Sequence, residues 1–164
     1  MLGVHFAITP EQERSLLAAA DDGDGDGDAV DELIEEIEES WAEDGLKVDS
    51  DKAWDAIHRC LTDGTLEPDG GEYPFSHAVL GGRRLHDEYV MVYLTVNEAR
   101  DAAAALQSVD RRQLRQRFDA IDDPDYHGAL DDADFNYTWD NLVEVRAFYQ
   151  RAATAGRPVV FTAT

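Results

Sequence analysis

The chain has 164 residues, a length that fits one domain with a core of its own. Apolar residues make up 43% and charged residues 30%, as in ordinary globular proteins, but 36 acidic against 14 basic residues give a formal net charge of -22. This charge repels nucleic acid backbones and anionic membrane surfaces, so neither is expected as a partner. A basic protein or a metal cation would be attracted, although the acidity is equally explained as a surface property that keeps the protein soluble.

Cys60 is the only cysteine, so the chain cannot form an internal disulfide or a thiolate cluster for a metal. The N-terminal segment lacks a basic region followed by a long apolar stretch, and no run of about 18 apolar residues occurs. We therefore expect a cytoplasmic protein with no signal peptide and no membrane span.

The first part of the chain predicts a strand at residues 2–9 and then a helix to about Ala20. Thr9 and Gln12 have the spacing of a capping box, with Pro10 at the first helical position. The acidic, glycine-rich run at residues 21–28 ends that helix.

Two further helices are predicted from helical spacing of apolar residues. The stripe of the first consists of Val30, Leu33, Ile34, Ile37 and Trp41. The stripe of the second, which follows Ser50, consists of Trp54, Ile57, His58 and Leu61. A loop is predicted at residues 66–76.

Residues 78–85 and 89–94 are β-prone and predict two strands. Gly81 and Gly82 interrupt the first of them, which indicates a bulge or a close approach of another backbone. Thr95 and Glu98 form a second capping box, which opens a helix through Leu106.

The C-terminal part predicts a helical stripe, an acidic loop, a long helix that ends at Gly156, and a strand at residues 159–162. The stripe consists of Leu114, Phe118 and Ile121, and the loop covers residues 119–136. About four strands and about six helices without regular alternation predict an α+β fold, with a single-layer small mixed sheet covered by helices, in one domain spanning residues 1–164.

The order of these features resembles the bacterial YfbM-like family, whose members carry a domain of unknown function. The resemblance rests on residues 51–58 (DKAWDAIH), 78–82 (AVLGG), 93–98 (YLTVNE) and 148–153 (FYQRAA), followed by Gly156, Val159 and Val160. It implies a compact α+β fold. It implies no catalytic residues, because the family has no established activity.

Residues 21–28 contain alternating aspartates that we tested against the calcium-binding EF-hand loop. The EF-hand loop needs oxygen ligands at positions 1, 3, 5 and 12 and glycine at position 6. With Asp22 at position 1, Asp24, Asp26 and Gly27 occupy positions 3, 5 and 6 as required, but position 12 is Leu33. With Asp24 at position 1, position 12 is Glu35, but position 6 is Ala29. Since neither register meets both requirements, we interpret the run as a solvated linker, with weak calcium binding as the alternative.

His58 shares a helical stripe with Trp54, with Asp51 two turns before it and Asp55 three residues before it, so a carboxylate could orient the imidazole as a base. A histidine on an apolar stripe is more often a core residue. Cys60 is not its expected partner, because residues two apart on a helix point in different directions.

The sequence contains no phosphate-binding glycine motif and no nucleophile elbow. We therefore predict a noncatalytic binding or interaction protein with a basic protein partner, and we assign no catalytic residue, metal ligand or cofactor. A structural or accessory protein is one alternative. The other alternative is an enzyme or small-ligand binder with a cleft around Trp54 and His58. It predicts that five residues meet in one pocket: Trp54, His58, Gly81, Gly82 and Tyr93.

Overall fold

A computed structural model of the protein describes residues 1–22, 27–39 and 45–164. Within those ranges it contains five β-strands and six α-helices. The strands are β1 (Gly3–Ala7), β2 (Lys47–Asp51), β3 (Arg83–Arg84), β4 (Val90–Leu94) and β5 (Val159–Ala163). The helices are α1 (Pro10–Asp21), α2 (Asp28–Glu39), α3 (Ala53–Leu61), α4 (Val96–Gln107), α5 (Arg111–Asp119) and α6 (Asp132–Ala155).

The strands form one sheet in the order β2-β1-β5-β4-β3, and every neighbouring pair is antiparallel. β5 lies at the centre, paired with β1 on one side and with β4 on the other. All five of its residues are buried, which explains its continuous run of Val, Val, Phe, Thr and Ala. The last strand in the sequence therefore joins two pairs of strands made earlier in the chain.

Side chains alternate between the two faces of the sheet, and each face has its own apolar cluster. On β5, Phe161 points into the cluster covered by α3 to α6, whereas Val160 points into the cluster covered by α1 and α2. We call these the thick face and the thin face. The sheet is thus a single layer with helices on both sides, as the α+β prediction requires.

Both predicted capping boxes are confirmed. The backbone N–H of Gln12 donates to Thr9 Oγ1 at 3.1 Å, and that of Thr9 donates to Gln12 Oε1 at 2.9 Å. The equivalent distances for Glu98 and Thr95 are 3.2 and 2.8 Å. These bonds satisfy N–H groups that a helix start leaves without a partner, so α1 and α4 begin where the sequence predicts.

The fold class is confirmed, and the strand count is five where about four were expected. The sheet was expected to be mixed, which is wrong: all of its strand pairs are antiparallel. The additional strand, β2, is an edge strand with mostly exposed residues. Its composition, Lys-Val-Asp-Ser-Asp, lacks the apolar alternation by which a strand is recognised. The predicted strand at residues 78–85 is mostly wrong: a 3₁₀ turn occupies Phe75–Ala78, and β3 has only two residues.

The predicted loop at residues 119–136 is shorter in the structure, because α6 begins at Asp132 with Asp131 as its N-cap. Trp41, Asp24 and Asp26 lie outside the described residues, so the predictions that involve them stay predictions. Asp22 is described and is exposed. In the ranges that the structure covers, no helix is both long and apolar enough to cross a bilayer.

Candidate functional site

A cavity of about 710 Å³ lies beside the N-terminal turn of α3. The end of β2, the loop before α6 and the first turns of α6 form most of the rest of its wall, together with Met1 and Leu66. We call it the Trp54 cavity. The side chains that matter for its chemistry are Asp51, Lys52, Trp54, Asp55, Asp125, Tyr126, His127, Asp134 and Tyr137.

Trp54 lies in the first turn of α3 and is 7% exposed. Its indole N–H donates to the carbonyl oxygen of Met1 at 3.3 Å, and its ring centroid lies 5.9 Å from that of Phe161 on β5. Gly3 of β1 lies against the indole so closely that a Cβ at this position would be 2.6 Å from Cδ1. The backbone of β1 and the core therefore fix the indole in place at the cavity wall.

The carboxylate of Asp51 is held by Tyr137 of α6. The Tyr137 hydroxyl donates to Asp51 Oδ2 at 2.8 Å and accepts the N–H of Lys52 at 3.1 Å. Burial, followed by the bond to Asp51, raises the pKa of Tyr137. Asp51 has a φ of 47°, in the left-handed region, which Asp and Asn tolerate better than most residues. The junction between β2 and α3 thus places a carboxylate at the rim of the cavity.

Asp134 occupies the other side of the cavity. Its Oδ2 atom accepts the Tyr126 hydroxyl at 2.9 Å and the N–H of Leu130 at 3.0 Å. Burial, followed by this bond to Asp134, raises the pKa of Tyr126. A Cβ at Gly128 would lie 2.3 Å from the Tyr126 hydroxyl oxygen, so a larger residue here would displace the Tyr126–Asp134 pair. Both aromatic hydroxyls are therefore donors to carboxylates that line the cavity.

Arg59 lies behind this wall and is 2% exposed. Its Nε donates to Asp55 Oδ1 at 2.6 Å, and its Nη1 donates to Asp123 and, at 3.1 Å, to the carbonyl oxygen of Gly64. The guanidinium lies 5.6 Å from the ring centroid of Tyr126. This buried charge is thus paired on both sides and stacked on an aromatic ring, the environment that a desolvated arginine needs.

The lining of the Trp54 cavity combines three aromatic side chains with four carboxylates, against one lysine. Asp51 and Asp134 each have one oxygen without a hydrogen-bond partner among the described residues, and the Asp125 carboxylate has two. Such a lining attracts a cationic group and can also stack against it. In the described ranges, no group of three or more His, Cys, Asp or Glu side chains is arranged to hold a metal ion.

The family described as a domain of unknown function, DUF1877, matches residues 1–162. The chain belongs to this family. The crystal structure of a protein of unknown function, YfbM from Escherichia coli, is similar with a TM-score of 0.73 and 22% sequence identity, and the match covers 100% of both chains. At that identity the likeness shows the fold alone. The resemblance to the YfbM-like family is confirmed, and no curated protein matches this chain.

The five residues predicted to form one pocket in this DUF1877 chain do not converge. Trp54 lines the Trp54 cavity, but His58, one turn further along α3, is fully buried. His58 Nε2 donates to the carbonyl oxygen of Glu67 at 3.1 Å, and its buried Nδ1 has no hydrogen-bond partner among the described residues. Burial lowers the pKa of His58. His58 is therefore a neutral core residue and offers no group to a ligand in the cavity.

Gly81, Gly82 and Tyr93 lie elsewhere. The N–H of Gly81 donates to the carbonyl oxygen of Ser76 at 2.8 Å, and Gly82 has a φ of 113°, where a Cβ would lie 2.7 Å from the Tyr93 carbonyl oxygen. The predicted close approach of another backbone is thus present, with β4 as the approaching strand. The Tyr93 side chain is on the thin face, where its hydroxyl donates to Glu13 of α1. The five residues therefore do not line one of the described cavities, and Trp54 and Tyr93 lie on opposite faces of the sheet.

Sequence reasoning missed Tyr126 and Tyr137 as members of the site, and it considered Asp51 only as a carboxylate close to His58. Asp51 and Tyr137 are 86 residues apart and meet only through the packing of α6 against β2. The sequence around Tyr137 resembles any amphipathic helix, and no local pattern identifies its partner. Cys60, which was not expected to pair with His58, is buried, and burial raises the pKa of its thiol to about 12.

One further polar cluster was not foreseen. Ser76 Oγ lies 3.0 Å from His77 Nδ1, and His77 Nε2 lies 4.0 Å from Glu98 Oε1. Ser76 is only 5% exposed, and Glu98 is engaged in the capping box of α4. None of the cavities described in the structure is lined by these three side chains, so we do not treat the cluster as a functional site.

Proposed function

We propose that the protein is a noncatalytic cytoplasmic binding protein whose partner is a basic protein, and that the partner docks at the Trp54 cavity. The observation that carries this proposal is the lining of the cavity, in which Trp54 lies between carboxylates whose positions are fixed by Tyr126 and Tyr137. The net charge of -22 supplies a long-range field that accelerates the approach of a positively charged protein.

In the test, the purified protein is immobilised and exposed to the native lysate at low salt, and any protein that it retains is identified. A cavity variant, Asp51→Asn with Asp125→Asn, removes two negative charges from the rim. A control variant, Glu35→Gln with Glu39→Gln, removes the same charge from the exposed surface of α2. We expect the wild type and the control to retain one and the same basic protein and the cavity variant to lose it.

Two results contradict the proposal. If none of the three proteins retains a partner at low salt, a basic protein partner is excluded under the conditions that favour it most. If all three retain the same partner equally, the partner docks away from the Trp54 cavity. If the partner is retained as the proposal expects, moderate salt should elute it, because contacts between exposed charges are screened.

A small molecule with a positive charge is the second candidate for this cavity. Its volume of about 710 Å³ falls within the range of roughly 300–1,000 Å³ that is typical of small-ligand sites. Native mass spectrometry of the protein purified from its source, at low salt, separates the two candidates. A bound mass of a few hundred daltons, absent from the cavity variant, would favour the small ligand over the protein partner.

A further inference from the structure

Resting on the proposed function, we propose that the Trp54 cavity binds the guanidinium group of an arginine side chain that the basic partner presents. The support comes from the lining of the cavity and not from the overall acidity of the protein. Guanidinium binding requires oriented carboxylates and an aromatic surface, and the lining contains both.

The first requirement is a set of carboxylate oxygens in fixed positions. A guanidinium is planar and has five N–H donors, so it binds best to carboxylates that are already oriented. Tyr137 orients Asp51 from one side, and Tyr126 together with the N–H of Leu130 orients Asp134 from the other. Each carboxylate keeps its second oxygen without a described partner, while the Asp125 side chain has no described partner at all.

The second requirement is an aromatic surface. Trp54, Tyr126 and Tyr137 all line the cavity. Tyr137, which is 37% exposed, offers the larger ring surface, whereas Trp54 exposes 7% of its area and is held by Met1 and Phe161, so little side-chain entropy is lost when a ligand packs against it. A guanidinium is more weakly hydrated than an ammonium and stacks on aromatic rings, which favours arginine over lysine at this wall.

The protein itself contains an example of this recognition next to the cavity. The Arg59 guanidinium bridges Asp55 and Asp123 and lies over the ring of Tyr126. Asp55 and Tyr126 are therefore shared between an internal arginine and the cavity lining. On the open side, Asp51, Asp134 and Trp54 bring the same types of group, carboxylate and aromatic ring, to the lining of one cavity.

The experiment is a titration of the full-length, ¹⁵N-labelled protein followed by NMR through the indole N–H of Trp54, which is assigned with the Trp54→Phe variant. The probes are N-acetyl-arginine amide, N-acetyl-lysine amide and the neutral isostere N-acetyl-citrulline amide. We expect a saturable shift of the Trp54 resonance with the arginine probe, binding at least about tenfold weaker with the lysine probe, and no shift with citrulline.

The variants designed for the partner experiment serve as controls. Asp51→Asn with Asp125→Asn is expected to weaken binding of the arginine probe by about tenfold or more, and Glu35→Gln with Glu39→Gln to leave it unchanged. Asparagine accepts the left-handed φ of residue 51 and still offers an oxygen to Tyr137, so the cavity variant is expected to fold. Unchanged thermal denaturation confirms that it does.

Three outcomes overturn the inference: no shift with the arginine probe, equal shifts with arginine and citrulline, or equal affinity for arginine and lysine. Any of these can occur while a basic protein is still retained by the wild type and lost by the cavity variant. In that case the proposed function stands and only the guanidinium assignment is wrong. Loss of both results would remove the proposed function as well.

Discussion

The thick and the thin face of the sheet bury their polar groups against different partners. On the thick face, His5 Nε2 and the Tyr149 hydroxyl both donate to the carbonyl oxygen of Ala78, each at 2.9 Å, and His58 donates to that of Glu67. On the thin face, the Tyr93 hydroxyl donates to Glu13, and His86 Nε2 lies 3.6 Å from Asp31. Neutral carbonyls are thus the usual partners beneath α3 to α6, and carboxylates are the partners beneath α1 and α2.

This difference determines where the molecule is sensitive. A carbonyl partner compensates poorly for a new positive charge, whereas a nearby carboxylate compensates well. Among the described residues, the thick face has carboxylate partners mainly towards the Trp54 cavity, where Arg59 is accompanied by two carboxylates and the Tyr126 hydroxyl donates to Asp134. We therefore expect changes in volume, in charge pairing and in pH to act mainly through the thick face.

The largest effect is expected when an aromatic ring is removed from the core, and the same Phe→Ala substitution can be compared on the two faces. Phe161 and Phe6 are both fully buried on adjacent central strands, but they point into opposite clusters. Phe161→Ala is expected to lower the free energy of unfolding by about 4–5 kcal/mol and Phe6→Ala by about 3 kcal/mol. The reason is that the site of Phe161, between His5 and Trp54 under four helices, collapses less readily than a site under two. Urea denaturation measures both, and equal costs would contradict the distinction between the faces.

The next effect compares a buried ion pair with an exposed one. Arg59→Met leaves Asp55 and Asp123 without their cation and is expected to cost about 3–4 kcal/mol. Arg83→Met breaks an ion pair with Asp21 in which the side chains are 47% and 66% exposed, and it is expected to cost less than about 1 kcal/mol. The free energies of unfolding at neutral pH check this order. A large loss with Arg83→Met would show that the thin face also depends on its charges.

The smallest of the three effects is the response to acid. Burial among the rings of Phe148, Tyr149 and Phe161 lowers the pKa of His5 to about 4, from an ordinary value of 6.5. Between these two values the unfolded chain binds a proton that the folded protein does not, so stability decreases as the pH falls. We expect this residue to account for a loss of about 3 kcal/mol between pH 6.5 and pH 4.

The check is the pH dependence of urea denaturation in wild type and in His5→Phe. The variant is expected to lose about 2–3 kcal/mol less over that range, and His127→Phe, which removes an exposed histidine, is expected to follow the wild type. If His5→Phe and the wild type lose the same stability as the pH falls, the acid response originates in another group. In that case His5 does not make the thick face more sensitive to pH than the thin face.

Much of the fold follows from local patterns in the sequence. The capping boxes at Thr9 and Thr95 predict the starts of two helices, because each box needs only side chains within one turn. The stripe that includes Trp54 predicts α3 and its buried side. These elements agree with the structure because the residues that stabilise them are close together in the sequence.

The errors arise where a distant partner determines the structure. β2 is polar and forms a strand only because β1 lies beside it, and residues 78–82 form a turn against β4 instead of a strand. The Trp54 cavity follows the same rule: Trp54 is predicted from its stripe, whereas Asp51 becomes part of the site only through Tyr137. Tyr93 was grouped with Trp54 because nothing local indicates which face of the sheet a side chain will occupy.

The central position of β5 has a consequence for folding during synthesis. The pairs β1–β2 and β3–β4 are complete early in the chain, but they have no direct contact in the sheet and are connected only by β5. Until residues 159–163 leave the ribosome, each pair has an open edge, and Phe6 and Val92 have no central strand beside them. The emergence of β5 therefore closes both edges in one step, and a ribosome-bound chain that stops before β5 should remain a substrate for chaperones.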